Sequence, residues 1–245
     1  MGTVSIALID SGVNAVHSHV GWVAAGLALY EGRGGEVLRI YGDLEDRIGH
    51  GTAVAGVIRH KAPEADIYAV KIFHSELRAP VCLLAGALEW AVAHRIKVIH
   101  LSLGSTSEEG REAIEALCKE AFDRGLVVVG AARSHDDPVY PASLPWVIGV
   151  YWDRACGPDD LVYHEGGPIE FGACGLPRPL PGIAQERNFR GGSFAAARVT
   201  AMAARLLGGD PSAGVLWVRE RLIEAAARQG RARPSSGSGN RSPGP

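Results

Sequence analysis

The stretch Leu126-Val127-Val128-Val129-Gly130 is a continuous apolar run that ends at a glycine. Such a run, without polar alternation, is typical of a strand in a parallel sheet that helices cover on both faces. A helical stretch with an apolar stripe precedes it, and a second strand-like stretch follows it. Strand-like and helical stretches alternate along the rest of the chain. The sequence therefore predicts an α/β protein with a doubly wound, mostly parallel sheet in three α/β/α layers.

The predicted strands are Val4–Ile9, Asp66–Ile72, Lys97–Leu101, Leu126–Gly130 and Trp146–Trp152. The predicted helices are Thr52–His60, Pro80–His94, Ser107–Arg124, Ser193–Leu207 and Pro211–Arg228. A capping box formed by Thr106 and Glu109 is predicted to start the third helix. Ligands of such sheets bind at the carboxyl ends of the strands. We therefore expect the site at the edge where Asp10, Ser102 and Arg133 follow their strands.

Composition narrows the class of protein. The 245 residues suit one domain, which we assign to residues 1–228, and we expect the Arg-, Ser-, Gly- and Pro-rich stretch 229–245 to be a disordered tail. The net charge of −2 gives no reason to expect nucleic acid as a partner. No apolar run approaches the roughly 20 residues that span a bilayer, so no membrane partner is expected. No signal peptide or pro-domain is recognisable before the first strand, which favours a cytoplasmic protein.

Three glycine-rich segments carry candidate chemistry. They are Ala7-Leu8-Ile9-Asp10-Ser11-Gly12, Gly49-His50-Gly51-Thr52-Ala53-Val54-Ala55-Gly56 and Gly191-Gly192-Ser193-Phe194-Ala195-Ala196. A serine hydroxyl is a poor nucleophile at neutral pH, and it needs a histidine to take its proton and an acid to orient that histidine. Taken singly, Ser193 reads as a helix cap and Asp10 as a turn former. Together the segments favour a hydrolase with Ser193 as nucleophile, His50 as general base and Asp10 as its orienting acid.

These segments resemble the active-site blocks of the subtilisin-like serine proteases, which carry Asp, His and Ser in this order. The resemblance runs from about Val4 to Leu207 and includes Ala62–Lys71, His100-Leu101-Ser102-Leu103-Gly104 and Tyr140-Pro141-Ala142. It implies the subtilisin fold and a serine endopeptidase that acts on a peptide or protein through an acyl-enzyme. It also implies that Ser102, Leu103 and Gly104 form an edge to which the substrate adds as a strand.

One part of the family's pattern is missing. The family places an asparagine that completes the oxyanion hole at the position where alignment puts Ser134, and no asparagine lies nearby. In subtilisin itself, losing that donor costs about 10²–10³ in rate. Three interpretations stay open: Ser134, Arg133 or His135 supplies another donor, the enzyme is slow on one dedicated substrate, or the domain only binds peptides.

We therefore expect a dedicated intracellular processing protease, with removal of a leader from a precursor peptide as one hypothesis. The alternatives are a catalytically impaired peptide-binding domain and an acyl transferase or macrocyclase, in which an amine replaces water. No cofactor or metal is expected. Asp43, Glu45 and Asp46 lack a calcium-loop pattern and read as solvated charges or an acidic rim. The four cysteines lack metal-ligand spacing, and a disulfide among them is the less favoured interpretation.

Overall fold

The structure is a computed structural model, and it describes residues 3–233, with the side chains of 232 and 233 left undescribed. Within this range the strands are β1 (Ser5–Asp10), β2 (Ala25–Glu31), β3 (Val37–Tyr41), β4 (Asp66–Lys71), β5 (Val98–Leu101), β6 (Val127–Ala132), β7 (Val147–Trp152), β8 (Leu161–His164), β9 (Phe171–Ala173) and β10 (Ala232–Arg233). The helices are α1 (His50–Lys61), α2 (Val81–Ala93), α3 (Arg111–Asp123), α4 (Gly192–Gly209) and α5 (Val215–Arg228).

The ten strands of the described residues form one sheet in the order β10-β8-β9-β7-β6-β5-β1-β4-β2-β3. Most neighbours pair in parallel, and the antiparallel pairs are β2 with β3 and β8 with β9. The central strand β1 pairs in parallel with both β4 and β5. The carboxyl end of β1, where Asp10 lies, is therefore enclosed by strand ends on both sides.

Helices cover both faces of the sheet, which confirms the predicted three-layer α/β/α fold. Along β1, Ile6 and Leu8 pack into the core under α1, α4 and α5. Ala7 and Ile9 point to the opposite face and pack into the core under α2 and α3. This two-sided burial explains why the strands read as continuous apolar runs.

The predicted capping box is wrong. Helix α3 begins at Arg111, and its N-cap is Gly110 with φ 66°, without a side-chain cap. The serines before it form local turns instead, because the Ser107 Oγ accepts a hydrogen bond from the Glu109 N–H at 3.2 Å. Such side-chain bonds to nearby backbone compete with the first turn of a helix.

Part of the predicted tail, residues 234–245, lies outside the described residues. Before it, β10 pairs in parallel with β8, with Ala232 opposite Tyr163. The four cysteines are free thiols. Among the residues that the structure describes, no helix combines the length and the apolar character needed to cross a bilayer.

Candidate active site

Asp10 and His50 meet at the carboxyl end of β1. Asp10 is the last residue of β1 and is fully buried, and His50 is the first residue of α1 and is 5% exposed. The His50 Nδ1 lies 2.8 Å from the Asp10 Oδ1 and 3.0 Å from its Oδ2. A Cβ at residue 51 would collide with the Gly12 carbonyl oxygen, so Gly51 allows the close approach of α1 to β1. This geometry holds the Nδ1 edge of the imidazole and leaves its Nε2 edge available.

Asp46 fixes the start of α1. Its Oδ1 accepts hydrogen bonds from the Gly49 N–H at 2.7 Å and from the Ser11 hydroxyl at 2.8 Å. Its Oδ2 accepts from the Thr52 N–H at 2.8 Å and the Thr52 hydroxyl at 2.6 Å. A carboxylate at this point satisfies free N–H groups and matches the positive end of the helix dipole.

The reading of Asp43 and Asp46 as solvated charges is therefore wrong. Asp46 braces α1, and Asp43 accepts a hydrogen bond from the Tyr30 hydroxyl at 2.5 Å and lies 3.2 Å from the Nζ of buried Lys71. An acidic residue four positions before the first residue of a helix was the signal that could have revealed the role of Asp46. In the described part of the chain, no group of three or more His, Cys, Asp or Glu side chains could hold a metal ion.

The two buried groups shift each other's ionisation. Burial raises the pKa of Asp10, but the His50 charge and the hydrogen bonds from His50, Ser102 and the Ser11 N–H outweigh it, so the pKa falls below 3.8. Burial lowers the pKa of His50, but the charge of Asp10, its hydrogen bond and the charge of Asp46 outweigh it, so the pKa rises above 6.5. Asp10 is therefore ionised at neutral pH, and it favours the protonated form of His50.

Ser193 lies in the first turn of α4. It follows Gly191, which has φ 139°, and Gly192, where a Cβ would collide with the Ala132 carbonyl oxygen. The next residue, Phe194, packs its ring 5.3 Å from the His50 ring. The Ser193 hydroxyl donates a hydrogen bond of 3.0 Å to the Ser102 carbonyl oxygen and makes none to His50. Helices α1 and α4 pack together, so the residue next to Ser193 contacts His50, while the Ser193 hydroxyl points towards the end of β5.

A groove of about 300 Å³ runs beside Ser193. Ser102, Leu103 and Gly104 line one wall of this groove. Leu103 and Gly104 make no backbone–backbone hydrogen bond within residues 3–233, so their peptide groups are free to pair with an added strand. The other lining residues are Ala131, Ala132, Arg133, Val139, Trp152, Gly191 and Gly192.

The three candidate oxyanion donors lie in different places. Arg133 lines the groove beside Ser193 and has an exposed side chain. Ser134 is also exposed but does not line the groove. His135 stacks on His164 at 4.9 Å and pairs with Asp136 at 3.0 Å. Of the three, only Arg133 shares the groove with Ser193.

The sequence model of a protein family described as the subtilase family matches residues 2–240. The chain belongs to the subtilase family. Among curated relatives, subtilisin amylosacchariticus from Bacillus subtilis subsp. amylosacchariticus is 28% identical over 252 residues, covering 93% of this chain and 61% of the relative. Subtilisin BL from Lederbergia lenta is 27% identical, covering 93% of this chain and 84% of the relative. This subtilase thus spans about three fifths of the length of the relatives it matches first.

Solved structures share the subtilase fold. Sphericase superposes with a TM-score of 0.69 at 23% identity, covering 90% of this chain and 84% of its own. A protein described as a lanthipeptide protease superposes with a TM-score of 0.67 at 20% identity, covering 90% and 79%. At these identities the likeness establishes the three-layer fold alone.

Proposed function

We propose that this subtilase is a serine endopeptidase in which Ser193 is the nucleophile, His50 the general base and Asp10 the residue that orients His50. The observation that carries the proposal is the buried His50–Asp10 pair, 2.8 Å apart, with helix α1 packed against helix α4, whose first turn contains Ser193. A neutral imidazole held through Nδ1–H presents a basic Nε2, which is what a serine nucleophile requires.

The proposed reaction follows from the groove. A peptide pairs with Leu103 and Gly104, and its carbonyl carbon comes to lie beside Ser193. The Ser193 Oγ forms a bond to that carbon while its proton moves to the His50 Nε2, and His50 then gives the proton to the departing amine. Water repeats the sequence on the acyl-enzyme and releases the acid product. The free N–H groups at the start of α4 favour the negative charge that develops on the carbonyl oxygen.

The hydrogen bond between Ser193 and the Ser102 carbonyl oxygen belongs to the resting arrangement. Proton transfer requires the hydroxyl to rotate towards His50, and active-site hydrogen bonds often tighten only when substrate binds. A substrate strand that pairs with residues 102–104 fills the groove beside the Ser102 carbonyl oxygen. We therefore expect substrate binding to favour rotation of the Ser193 hydroxyl towards His50.

The direct test is labelling of the folded protein with a fluorophosphonate, which reacts with activated serines, together with hydrolysis of a peptide library. Labelling at Ser193 and cleavage of internal peptide bonds support the proposal. Folded protein that neither labels nor cleaves at any pH from about 6 to 9 contradicts it.

A pH profile tests the role of His50. The base must be neutral, and its folded-state pKa lies above 6.5, so activity is lost as the pH falls through that raised value. We expect kcat/KM for a peptide substrate to reach half of its maximum above pH 6.5 and to fall about tenfold per unit below. A half-maximum below the ordinary histidine value would contradict the proposed His50–Asp10 coupling.

We further propose that Arg133 supplies the missing oxyanion donor. Its side chain lines the groove with Ser193 and forms no ion pair with any other residue that the structure describes. A guanidinium is permanently charged and carries several donors, so it can stabilise an oxyanion without a change of protonation.

A matched pair of variants tests this donor. Arg133→Ala is expected to lower kcat by roughly 10- to 100-fold with little change in KM, because the contact forms only in the transition state. Ser134→Ala, one residue further along the same loop, is expected to keep kcat within about twofold. The opposite ranking of the two variants would assign the donor to Ser134.

At the finer level, we propose a dedicated processing protease that removes a leader from a precursor peptide inside the cell. The departure from the family's oxyanion asparagine supports this role, because a donor that differs from the family's has to suit only one dedicated substrate. Cleavage mapping by mass spectrometry on unrelated unfolded proteins provides the test. A single preferred sequence context supports processing, and cuts without preference contradict it.

The second candidate is a subtilase domain that binds peptides without cutting them. The exposed position of Ser134 favours it, since the asparagine-like donor is absent there. Peptide binding measured by calorimetry, with no fluorophosphonate label on the same folded sample, would establish the binder and exclude the protease.

A further inference from the structure

Two fully buried polar side chains lie behind the site and take no part in the proposed reaction. His100 is on β5, and Thr200 is on the buried face of α4. The His100 Nδ1 lies 2.9 Å from the Thr200 Oγ1, and the His100 Nε2 lies 2.9 Å from the Ser102 Oγ. Ile9 pairs with Leu101 in the parallel register of β1 and β5, so Ser102 and Asp10 follow side by side, and the Ser102 hydroxyl helps to lower the pKa of the Asp10 carboxyl. A continuous chain of side chains thus joins the interior of α4 to the carboxylate that holds His50.

The direction of every hydrogen in this chain follows from its ends. An ionised Asp10 only accepts, so the Ser102 hydroxyl must donate to it. The Ser102 oxygen then accepts from the Nε2–H of His100. A neutral imidazole has one N–H, so its Nδ1 is the acceptor, and the Thr200 hydroxyl donates to it.

His100 is neutral in this setting. Burial lowers its pKa to about 4; the negative charge of Asp10 acts in the opposite direction, and the charge of His50 lowers the pKa further. A protonated ring would present two N–H groups and leave the Thr200 hydroxyl without its acceptor. One tautomer of neutral His100, with the proton on Nε2, satisfies all partners at once.

We propose that His100 and Thr200 are positioning residues for Asp10, acting through Ser102 to keep its hydroxyl aimed at the carboxylate. The proposal rests on the proposed protease function and deepens it. A leucine and a valine would fill the same space without the desolvation cost of buried polar groups. Retaining a histidine and a threonine in this core therefore indicates a role for their hydrogen bonds.

Loss of this chain of hydrogen bonds weakens the contacts that hold the Asp10 carboxylate. Without the Thr200 hydroxyl at Nδ1, nothing fixes the proton of His100 on Nε2, and the Ser102 hydroxyl can turn from Asp10 to donate to an unprotonated Nε2. The carboxylate then loses one of the donors that stabilise its charge, and the remaining ones are His50 and the Ser11 N–H. A less stabilised carboxylate attracts the imidazolium more strongly, so His50 holds its proton to a higher pH. The transition state, in which His50 and Asp10 must stay aligned, is also less well positioned.

Thr200 offers a crossed pair of variants. Thr200→Val keeps the volume and removes the hydroxyl, whereas Thr200→Ser keeps the hydroxyl and removes a methyl group. If the hydrogen bond matters, Thr200→Val lowers kcat by roughly three- to tenfold at unchanged KM and moves the acid limb of kcat/KM to higher pH. Thr200→Ser then retains near wild-type kcat despite a lower melting temperature. A role in packing alone gives the reverse ranking in kcat and overturns the proposal.

A second measurement does not depend on activity. Nitrogen-15 NMR of histidine-labelled protein, with His100→Gln used to assign the signal, reports its protonation and tautomer directly. We expect a neutral ring with the proton on Nε2 between about pH 5.5 and 8. A proton on Nδ1, or a charged ring in this range, overturns the proposal even if the variants behave as expected. If the wild-type protein neither reacts with the fluorophosphonate nor hydrolyses peptides, the proposed protease function is wrong. The tautomer of His100 then still decides whether the chain of hydrogen bonds from Thr200 to Asp10 exists.

Discussion

Ser193→Ala is expected to abolish peptide hydrolysis, with kcat falling by about 10⁶, the loss known for subtilisin itself when its nucleophile is removed. The alanine keeps the helix start of α4 and removes only the oxygen that bonds to the substrate carbonyl. Residual turnover comes from substrate binding and charge stabilisation alone. Steady-state and burst-phase assays with a chromogenic peptide measure kcat. Fluorophosphonate labelling measures the fraction of molecules that carry a reactive serine.

The matched control for this loss is Ser75→Ala, at an exposed position between β4 and α2. It removes the same oxygen from a residue that does not line the groove, and kcat is expected to stay within about twofold of wild type. Circular dichroism and melting temperature confirm that both variants fold. Label that persists on folded Ser193→Ala would place the nucleophile on another residue and refute the proposed mechanism.

Asp10→Asn is expected to lower kcat by about 10⁴ while the fold survives. The amide has the same shape as the carboxylate, but it carries no charge and presents an NH₂ group to a site built from donors. Both Asp10 oxygens lie near the His50 Nδ1, and in asparagine one of them is replaced by an NH₂ group. This NH₂ group can donate to an unprotonated Nδ1, and His50 then carries its proton on Nε2 and cannot act as a base there. The imidazolium that forms during attack also loses its counter-charge.

Asp123→Asn, an exposed change at the end of α3, is the control for Asp10→Asn and is expected to leave kcat unaltered. A double variant sharpens the result. Residues that act as a unit are not additive, so Ser193→Ala with Asp10→Asn is expected to be no slower than Ser193→Ala alone. A further loss on adding Asp10→Asn would mean that Asp10 acts independently of the nucleophile.

The parts of the fold that the sequence predicted are those with strong local signals. The buried strands β1, β4, β5, β6 and β7 are largely apolar, and all five helices lie within about four residues of their predicted bounds at either end. The β2–β3 hairpin was missed. The residues of β3 are mostly exposed at the sheet edge, so its sequence carries no clear buried face. β8 and β9, with four and three residues, are too short to show a period.

The candidate site divides in the same way. Asp10, His50 and Ser193 are recognisable because each lies in a glycine-rich segment that its close packing requires. The role of Thr200 depends on contacts that no local pattern encodes. Thr200 meets His100 across 100 positions of sequence, and its residue type is unremarkable for a helix. Such roles emerge only when the strands and helices have been placed in space.

The position of Asp10, His50 and Ser193 on β1, α1 and α4 has a consequence for how this protein would age in solution. Helix α1 packs against both β1 and α4, so unfolding of the whole chain separates all three residues. Under the proposed function, an unfolded copy has lost its catalytic residues at the moment when its own peptide bonds become accessible. Digestion of an unfolded copy is then a reaction between two molecules, a folded one and an unfolded one. The rate of this digestion scales with the product of the two concentrations. Dilution of the protein is therefore expected to slow its loss.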